Sequence, residues 1–140
     1  MTVLQLTNFN IRDLELNPNV YVLYLENEKR KGGDRLCISL RDHHRSLGIV
    51  VKKSGGVDEE SYYTNREFEW VRENLEKDFN TVFNVLNNRH DVFIPMEIFT
   101  TNHWIENVAN KVGSKIVQCL HHKWNDMLHK YSSKKIQSRQ

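Results

Sequence analysis

The sequence predicts an α/β fold, a small mixed or parallel sheet flanked by helices, and three observations carry this. Short apolar, β-rich runs recur at Val20–Leu25, Leu47–Lys53 and Asp91–Pro95. A long amphipathic stripe separates the second run from the third, and another stripe follows the third. A strand–helix–strand order with that spacing is the signature of a βαβ unit, which joins parallel strands.

Taken in order, "TVLQL" near the N-terminus is a weaker strand candidate. "VYVLYL" (Val20–Leu25) reads as a buried strand, with Asn17 and Pro18 punctuating its start. "LGIVVKK" (Leu47–Lys53) is a second strand, ended by Ser54, Gly55 and Gly56. From Asn65 to Leu86, apolar residues fall at Phe68, Val71, Leu75, Phe79, Val82 and Leu86, steps of three and four that make one helical stripe. Asn65 reads as its N-cap, and Phe68 three residues on closes no capping box. "DVFIP" (Asp91–Pro95) is a third strand, ended by a proline that cannot donate to a ladder. Ile105, Val108, Val112, Ile116, Leu120 and Trp124 then form the stripe of a second long helix, which Gly113 weakens by roughly 1 kcal/mol relative to alanine. The end, "YSSKKIQSRQ", is polar and basic. The reading is therefore a single domain over 1–131 and a tail over 132–140 that frays.

At 140 residues the chain is long enough for one domain with a sizeable core. A net charge of +2 names no partner in bulk, and no apolar run is long enough to span a bilayer. The start "MTVLQLTNFN" has neither the cationic segment nor the apolar core of a signal peptide, and Cys37 and Cys119 form no CxxC pair. The expectation is a cytoplasmic protein with two free thiols.

In such sheets, ligands sit where loops leave the carboxyl ends of the strands. In "LENEKRKGGDR", Gly32 and Gly33 supply backbone freedom for amides to face a phosphate, and Lys29, Arg30, Lys31 and Arg35 supply charge. The spacing is neither GxGxxG nor GxxxxGK[ST], so a cationic turn is the competing account. Lys52 and Lys53, at the end of the second strand, reach toward the same ligand or lie solvated. After the third strand, Thr101 or Asn102 reads as a helix cap, and a helix N-terminus attracts anions. Trp104 fits either a stacked ring or a core residue. The seven histidines include the adjacent pairs His43/His44 and His121/His122, but no ligand spacing of a known metal site appears, and no metal or cofactor is expected. The basic C-terminus, with Trp124 and Tyr131, reads as a solvated helix face rather than a nucleic-acid surface. No Ser/His/Asp or Cys/His set is recognisable, so a binding protein ranks ahead of an enzyme.

The succession "NPNVYVLY…N…RKGG…LR…LGIVVKK…YYTNREFEWV…VFIP…TT…A" resembles a family of small, uncharacterised phage and bacterial proteins, over roughly Asn17 to Leu120. That family carries an "RKGxGGQA" loop, a "GIPTK" strand, a "YFxDxEF" helix start and an "IPxxGIGTGLA" strand and loop. Its layout is similar to a macrodomain, the α/β module that binds ADP-ribose and related nucleotides between two glycine-rich loops. On this resemblance Asn27 matches the loop asparagine, Arg30, Lys31, Gly32 and Gly33 match "RKGxGG", and Arg41 matches a following arginine. Gly48, Ile49 and Lys52 match "GIPTK", with Val50 and Val51 in place of proline and threonine. Tyr63, Glu67 and Phe68 match the helix start, and Ile94, Pro95 and Thr101 the third-strand motif. The departures are "IFTTNHW" where the family has "GIGTGLA", and "DRLC" where it has "QA"; the lost glycines are those that let backbone approach phosphate.

The resemblance implies non-catalytic binding of a phosphate-bearing nucleotide, an ADP-ribose derivative. Asn27, Arg30, Lys31, Gly32, Gly33, Arg41 and Lys52 would hold it on one side, and Thr100, Thr101, Asn102 and Trp104 on the other. In a phage-encoded protein acting in the host cytoplasm, such binding would sequester a nucleotide signal of host defence. Two alternatives stay open: an inhibitor that docks on a host enzyme after losing the ligand site, and, ranked last, an ADP-ribosyl hydrolase using Asn27. Fold alone does not choose among them.

Overall fold

A computed structural model of the chain describes residues 2–138. Its centre is a five-stranded sheet in the order β3-β2-β4-β1-β5, in which every neighbouring pair is parallel. The strands are β1 (Thr2–Thr7), β2 (Val20–Asn27), β3 (Ser46–Lys52), β4 (Asp91–Pro95) and β5 (Ser132–Gln137). The helices are α1 (Arg12–Leu16), α2 (Arg35–Leu40), α3 (Phe68–Asn87), α4 (Ile105–Val108) and α5 (Ser114–Lys130). The α/β class, the parallel strands and the flanking helices agree with the sequence reading. The weak N-terminal candidate is the strand β1, beside β4 in the register Val3↔Val92 to Leu6↔Pro95.

The α3 stripe is buried as its spacing requires: Val71, Leu75, Phe79, Val82 and Leu86 are core residues and Phe68 packs at their edge. α3 does join β3 to β4 as a βαβ unit, but the two strands are not neighbours. β2 lies between them, pairing with β3 from Val22↔Ser46 and with β4 from Val20↔Asp91. The chain thus moves outward from β2 to β3 and back across β2 to β4. Right-handed crossovers running in opposite directions lie on opposite faces of a sheet. α2 therefore covers one face, while α3 and α5 pack together on the other.

Three expectations are corrected. The last stripe is not one helix. Gly113 is extended (φ −58°, ψ 134°), and its amide donates to Tyr63 O at 3.1 Å. A Cβ there would lie 2.4 Å from Asn65 Oδ1 and 2.5 Å from Asn65 N. Tertiary contact with the chain before α3 therefore breaks a run that periodicity alone would continue. Asn65 does cap a helix, but it is α5: its Oδ1 accepts from Lys115 N at 3.1 Å. A capping box does form before α3, where none was expected, because the cap is Thr64 and not Asn65: Glu67 reaches back to Thr64 N at 3.0 Å.

The third correction is the tail. Ser132–Gln137 is the edge strand β5, paired with β1 from Thr2↔Ser132 to Thr7↔Gln137, and only residues 139–140 of the expected tail lie outside the described residues. Its polar sequence hid it, because an edge strand is held by backbone bonds, and Lys134 and Lys135 guard an open edge against further pairing.

The end of α3 gives a stability prediction. His90 N donates to Val85 O and Arg89 N to Leu86 O, the paired bonds of a Schellman cap, with Arg89 left-handed at φ 69°. A non-glycine residue there is strained, so Arg89→Gly is expected to stabilise the fold by about 1 kcal/mol. Urea unfolding checks it; an unchanged or lower midpoint would contradict the strain assignment.

Candidate functional site

The chain leaves β2 toward β3 and leaves β4 toward β5, in opposite directions across the sheet. The carboxyl ends of these adjacent strands therefore frame the crevice where α/β sheets place ligands. One wall is the loop 28–34 after β2. The other is the segment 96–104 after β4, which begins with a turn of 3-10 helix at Met96–Thr100.

The β2 loop stands on a buried polar base. Glu26 is fully buried and accepts from four donors: Arg41 Nε (2.8 Å), Arg41 Nη2 (2.7 Å), Tyr24 Oη (2.9 Å) and the Asn27 amide (2.9 Å). Burial raises the Glu26 pKa, but these donors outweigh it and hold the carboxyl below its ordinary range. Arg41 Nη2 also donates to Gly32 O at 2.7 Å. Asn27, buried too, donates from Nδ2 to Lys31 O (3.1 Å) and accepts the Arg30 amide on its carbonyl (3.0 Å). Arg41 and Asn27 thus shape the loop from beneath. Lys29, Arg30, Lys31 and Gly32 face solvent above it. Arg30, Gly32 and Gly33 are left-handed, at φ 54°, 60° and 95°.

Lys52 does not lie along the rim as a free cation. It is 1% exposed, its Nζ donates to Gly56 O at 2.6 Å, and it sits 4.6 Å from the Tyr62 ring centroid. Burial lowers its pKa, and Asp34 offsets part of that. Lys53 is the outward residue, paired with Glu67 at 2.8 Å. Beside the β2 loop lies a groove of about 410 Å³, lined by Glu28, Lys29, Lys53, Ser54, Asp58 and Glu60 among others.

The second wall meets the first through a cluster the sequence reading missed. Asp34 caps α2, with Oδ1 accepting from Cys37 N at 3.0 Å, and its Oδ2 lies 3.2 Å from His103 Nδ1. His103 Nε2 lies 3.9 Å from Cys37 Sγ. Cys37 is 1% and His103 2% exposed. The thiol donates to Leu25 O at 2.7 Å, and burial first, then the Asp34 carboxylate, pushes its pKa up to about 12. The order thiol–imidazole–carboxylate is that of a nucleophilic triad, but a buried thiol held protonated is not a nucleophile. Cys37 and His103 are 66 residues apart, so no local spacing signals them. The one sequence cue is Asp34, an N-cap residue ahead of "RLCISL".

The remaining expected residues divide. Trp104 is a core residue, its ring packed edge-on against Phe99 and Trp124 at 4.7 and 5.3 Å. Neither Thr101 nor Asn102 is the residue that caps α4; that position is Trp104, without a side-chain cap bond. Thr101 instead accepts His103 N on its hydroxyl at 3.2 Å, setting the turn that delivers His103. α4 is a single turn. Thr100 and Asn102 are exposed on the wall. The structure therefore brings both predicted loops together. Asn27, Arg41, Lys52 and Trp104 lie beneath them, and Arg30, Lys31, Gly32, Thr100 and Asn102 at the surface.

Compared with known proteins, residues 4–116 match the sequence model of a family of unknown function, DUF7831. The match spans the sheet through β4 and both walls of the crevice; most of α5 and all of β5 lie beyond it. No curated protein and no solved structure matches the chain.

Proposed function

The chain belongs to DUF7831, a family of unknown function, and from there we propose that it binds a phosphate-bearing nucleotide of the ADP-ribose class, without catalysis, on the loop between β2 and α2. The observation that carries the reading is the state of that loop. Among the described residues, no hydrogen bond reaches the amides of Gly32 and Gly33. They sit in a left-handed turn carrying Lys29, Arg30 and Lys31, with Gly32 exposed and Gly33 half-buried against Gly55. Successive amides in such turns make anion-binding concavities. The charge beneath them is already cancelled, because Arg41 is paired to Glu26, so the outer cations are left to meet a phosphate. The adjoining groove supplies Glu28, Asp58 and Glu60, acceptors suited to ribose hydroxyls. The macrodomain-like layout inferred from the sequence supports the same placement of ligand at the strand ends. In a phage protein this would sequester a host nucleotide signal.

Thermal unfolding against adenine nucleotides, ADP-ribose included, tests this. Ligand at 100 times its dissociation constant adds about 2.7 kcal/mol, a shift of several degrees for a domain of this size. Arg30→Gly sharpens the test. It removes left-handed strain and is expected to raise the ligand-free Tm while weakening nucleotide binding about tenfold, the loss of one charge-assisted phosphate contact. Arg89→Gly, strained in the same way but at a helix end, should change stability alone. No shift with any nucleotide would move the assignment to protein docking, with Ile38, 61% exposed on α2, beside the cationic loop.

A further inference from the structure

We propose that Asp34, Cys37 and His103 form a binding site for a zinc-class transition-metal ion that clamps the loop after β2 to the loop after β4.

One donor atom from each residue lies within 4.8 Å of the others. Zinc bonds of about 2.3 Å to sulfur and about 2.0–2.1 Å to nitrogen or oxygen place tetrahedral donors roughly 3.3–3.6 Å apart. Asp34 Oδ2 lies 3.2 Å from His103 Nδ1 and Cys37 Sγ 3.9 Å from Nε2; the imidazole gives an ion only one of these nitrogens, so side-chain rotation within the 4.8 Å span must bring the remaining donor to that spacing. The three residues come from a loop, a helix start and a second loop, which is how a metal joins segments remote in sequence.

A second observation points to a ligand independently of spacing. His103 Nδ1 is buried, and its 3.2 Å contact with Asp34 Oδ2 holds the Asp34 carboxyl down but falls outside good hydrogen-bond geometry. Buried polar atoms are ordinarily well satisfied, so a poorly aimed contact between two metal-ligand residues fits a site shaped for a third partner. Gly33 leaves room: a Cβ there would sit 3.4 Å from both His103 Cε1 and Cys37 Cβ.

A divalent ion with a thiolate, a carboxylate and a neutral imidazole makes a neutral complex. The metal-free site carries the Asp34 charge alone, so binding raises the local charge by one unit and lowers the support that Asp34 gives to charged Lys52. Sulfur and imidazole select zinc-class ions over magnesium or calcium. Binding breaks the Cys37–Leu25 hydrogen bond and releases the thiol proton to solvent, so affinity rises with pH. Three protein ligands leave a fourth position for water.

The test uses cobalt(II) alone, with no nucleotide, on chelator-treated full-length protein. One equivalent should produce the thiolate-to-cobalt charge-transfer band and the visible bands of tetrahedral cobalt, and zinc should abolish both. Cys119→Ser, at the other free cysteine, should keep the bands. Cys37→Ser should lose the charge-transfer band, and His103→Gln should weaken binding more than about 100-fold. Wild-type protein that is folded by circular dichroism and gives no charge-transfer band overturns the proposal, whatever the variants do. So does a band lost in Cys119→Ser. If Cys37→Ser does not fold, the wild-type spectrum and the Cys119→Ser comparison decide.

Discussion

Arg41→Ala is expected to destabilise the fold by roughly 3–5 kcal/mol, because it leaves the Glu26 carboxylate buried without its countercharge. Against the 5–15 kcal/mol typical of a whole domain, that is a large fraction. The magnitude follows from burial: a fully exposed pair would be worth under about 1 kcal/mol, but Glu26 has no access to solvent and Arg41 only 13%. Arg41→Lys should recover only part of the loss. An ammonium cannot make the two-pronged contact to Glu26 and still reach Gly32 O, so the loop above should loosen with it. The pH dependence separates lost charge from lost packing. In the native protein the Glu26 pKa is depressed from its ordinary 4.5. Its stabilisation is then complete above that value and disappears as pH falls through the lower, folded pKa. Without Arg41, desolvation becomes the dominant influence and raises the folded pKa, so acid unfolding of the variant should begin at higher pH. Urea midpoints between pH 3 and 7 measure both effects. A parallel loss at every pH would show that packing, not the charge pair, is what Arg41 contributes.

This base was half legible in the sequence. Lys52 stands out in the sequence as a cation at a strand end, and Asn27 and Arg41 only through the family resemblance; in the structure Asn27 ends β2, Lys52 ends β3 and Arg41 follows α2. Their roles differ because each is held by a partner that no motif announces: Glu26, fifteen residues back, for Arg41, and the nearer Gly56 O and Tyr62 ring for Lys52. A buried glutamate inside "VYVLYLEN" reads as the polar end of a strand. Only the arginine fifteen residues later makes it a core residue. Elements with strong periodicity, β2, β3, β4 and α3, were legible for the opposite reason: their stripes face one core and need no particular partner. The short helices α1 and α2 are too brief for a period. β5 has no apolar alternation, since one edge of it faces solvent. The Asp34–Cys37–His103 cluster arises from the topology, which sets the ends of β2 and β4 side by side although more than sixty residues separate them.

Gly55→Ala is the second large effect, and it tests whether the two loops of the β2–β3 end act as one unit. A Cβ on Gly55 would lie 2.4 Å from Gly33 N, 3.0 Å from Gly33 Cα and 3.1 Å from Gly32 C. All three are backbone atoms, so no side chain can rotate away, and one loop must move. Overpacking of this kind costs typically 1–3 kcal/mol. Gly55 itself is not left-handed, so the cost measures close approach rather than conformation. Gly32→Ala provides the contrast. Gly32 is left-handed at φ 60° with nothing near its missing Cβ, so alanine there should cost about 1 kcal/mol of backbone strain and leave the loop in place. If the glycine loop holds a nucleotide, Gly55→Ala should lose binding out of proportion to its stability. Gly32→Ala should lose stability with binding largely retained. Equal stability losses in the two variants would mean that the loops slide past each other freely, and that the contact between Gly55 and Gly33 does not set the shape of the site.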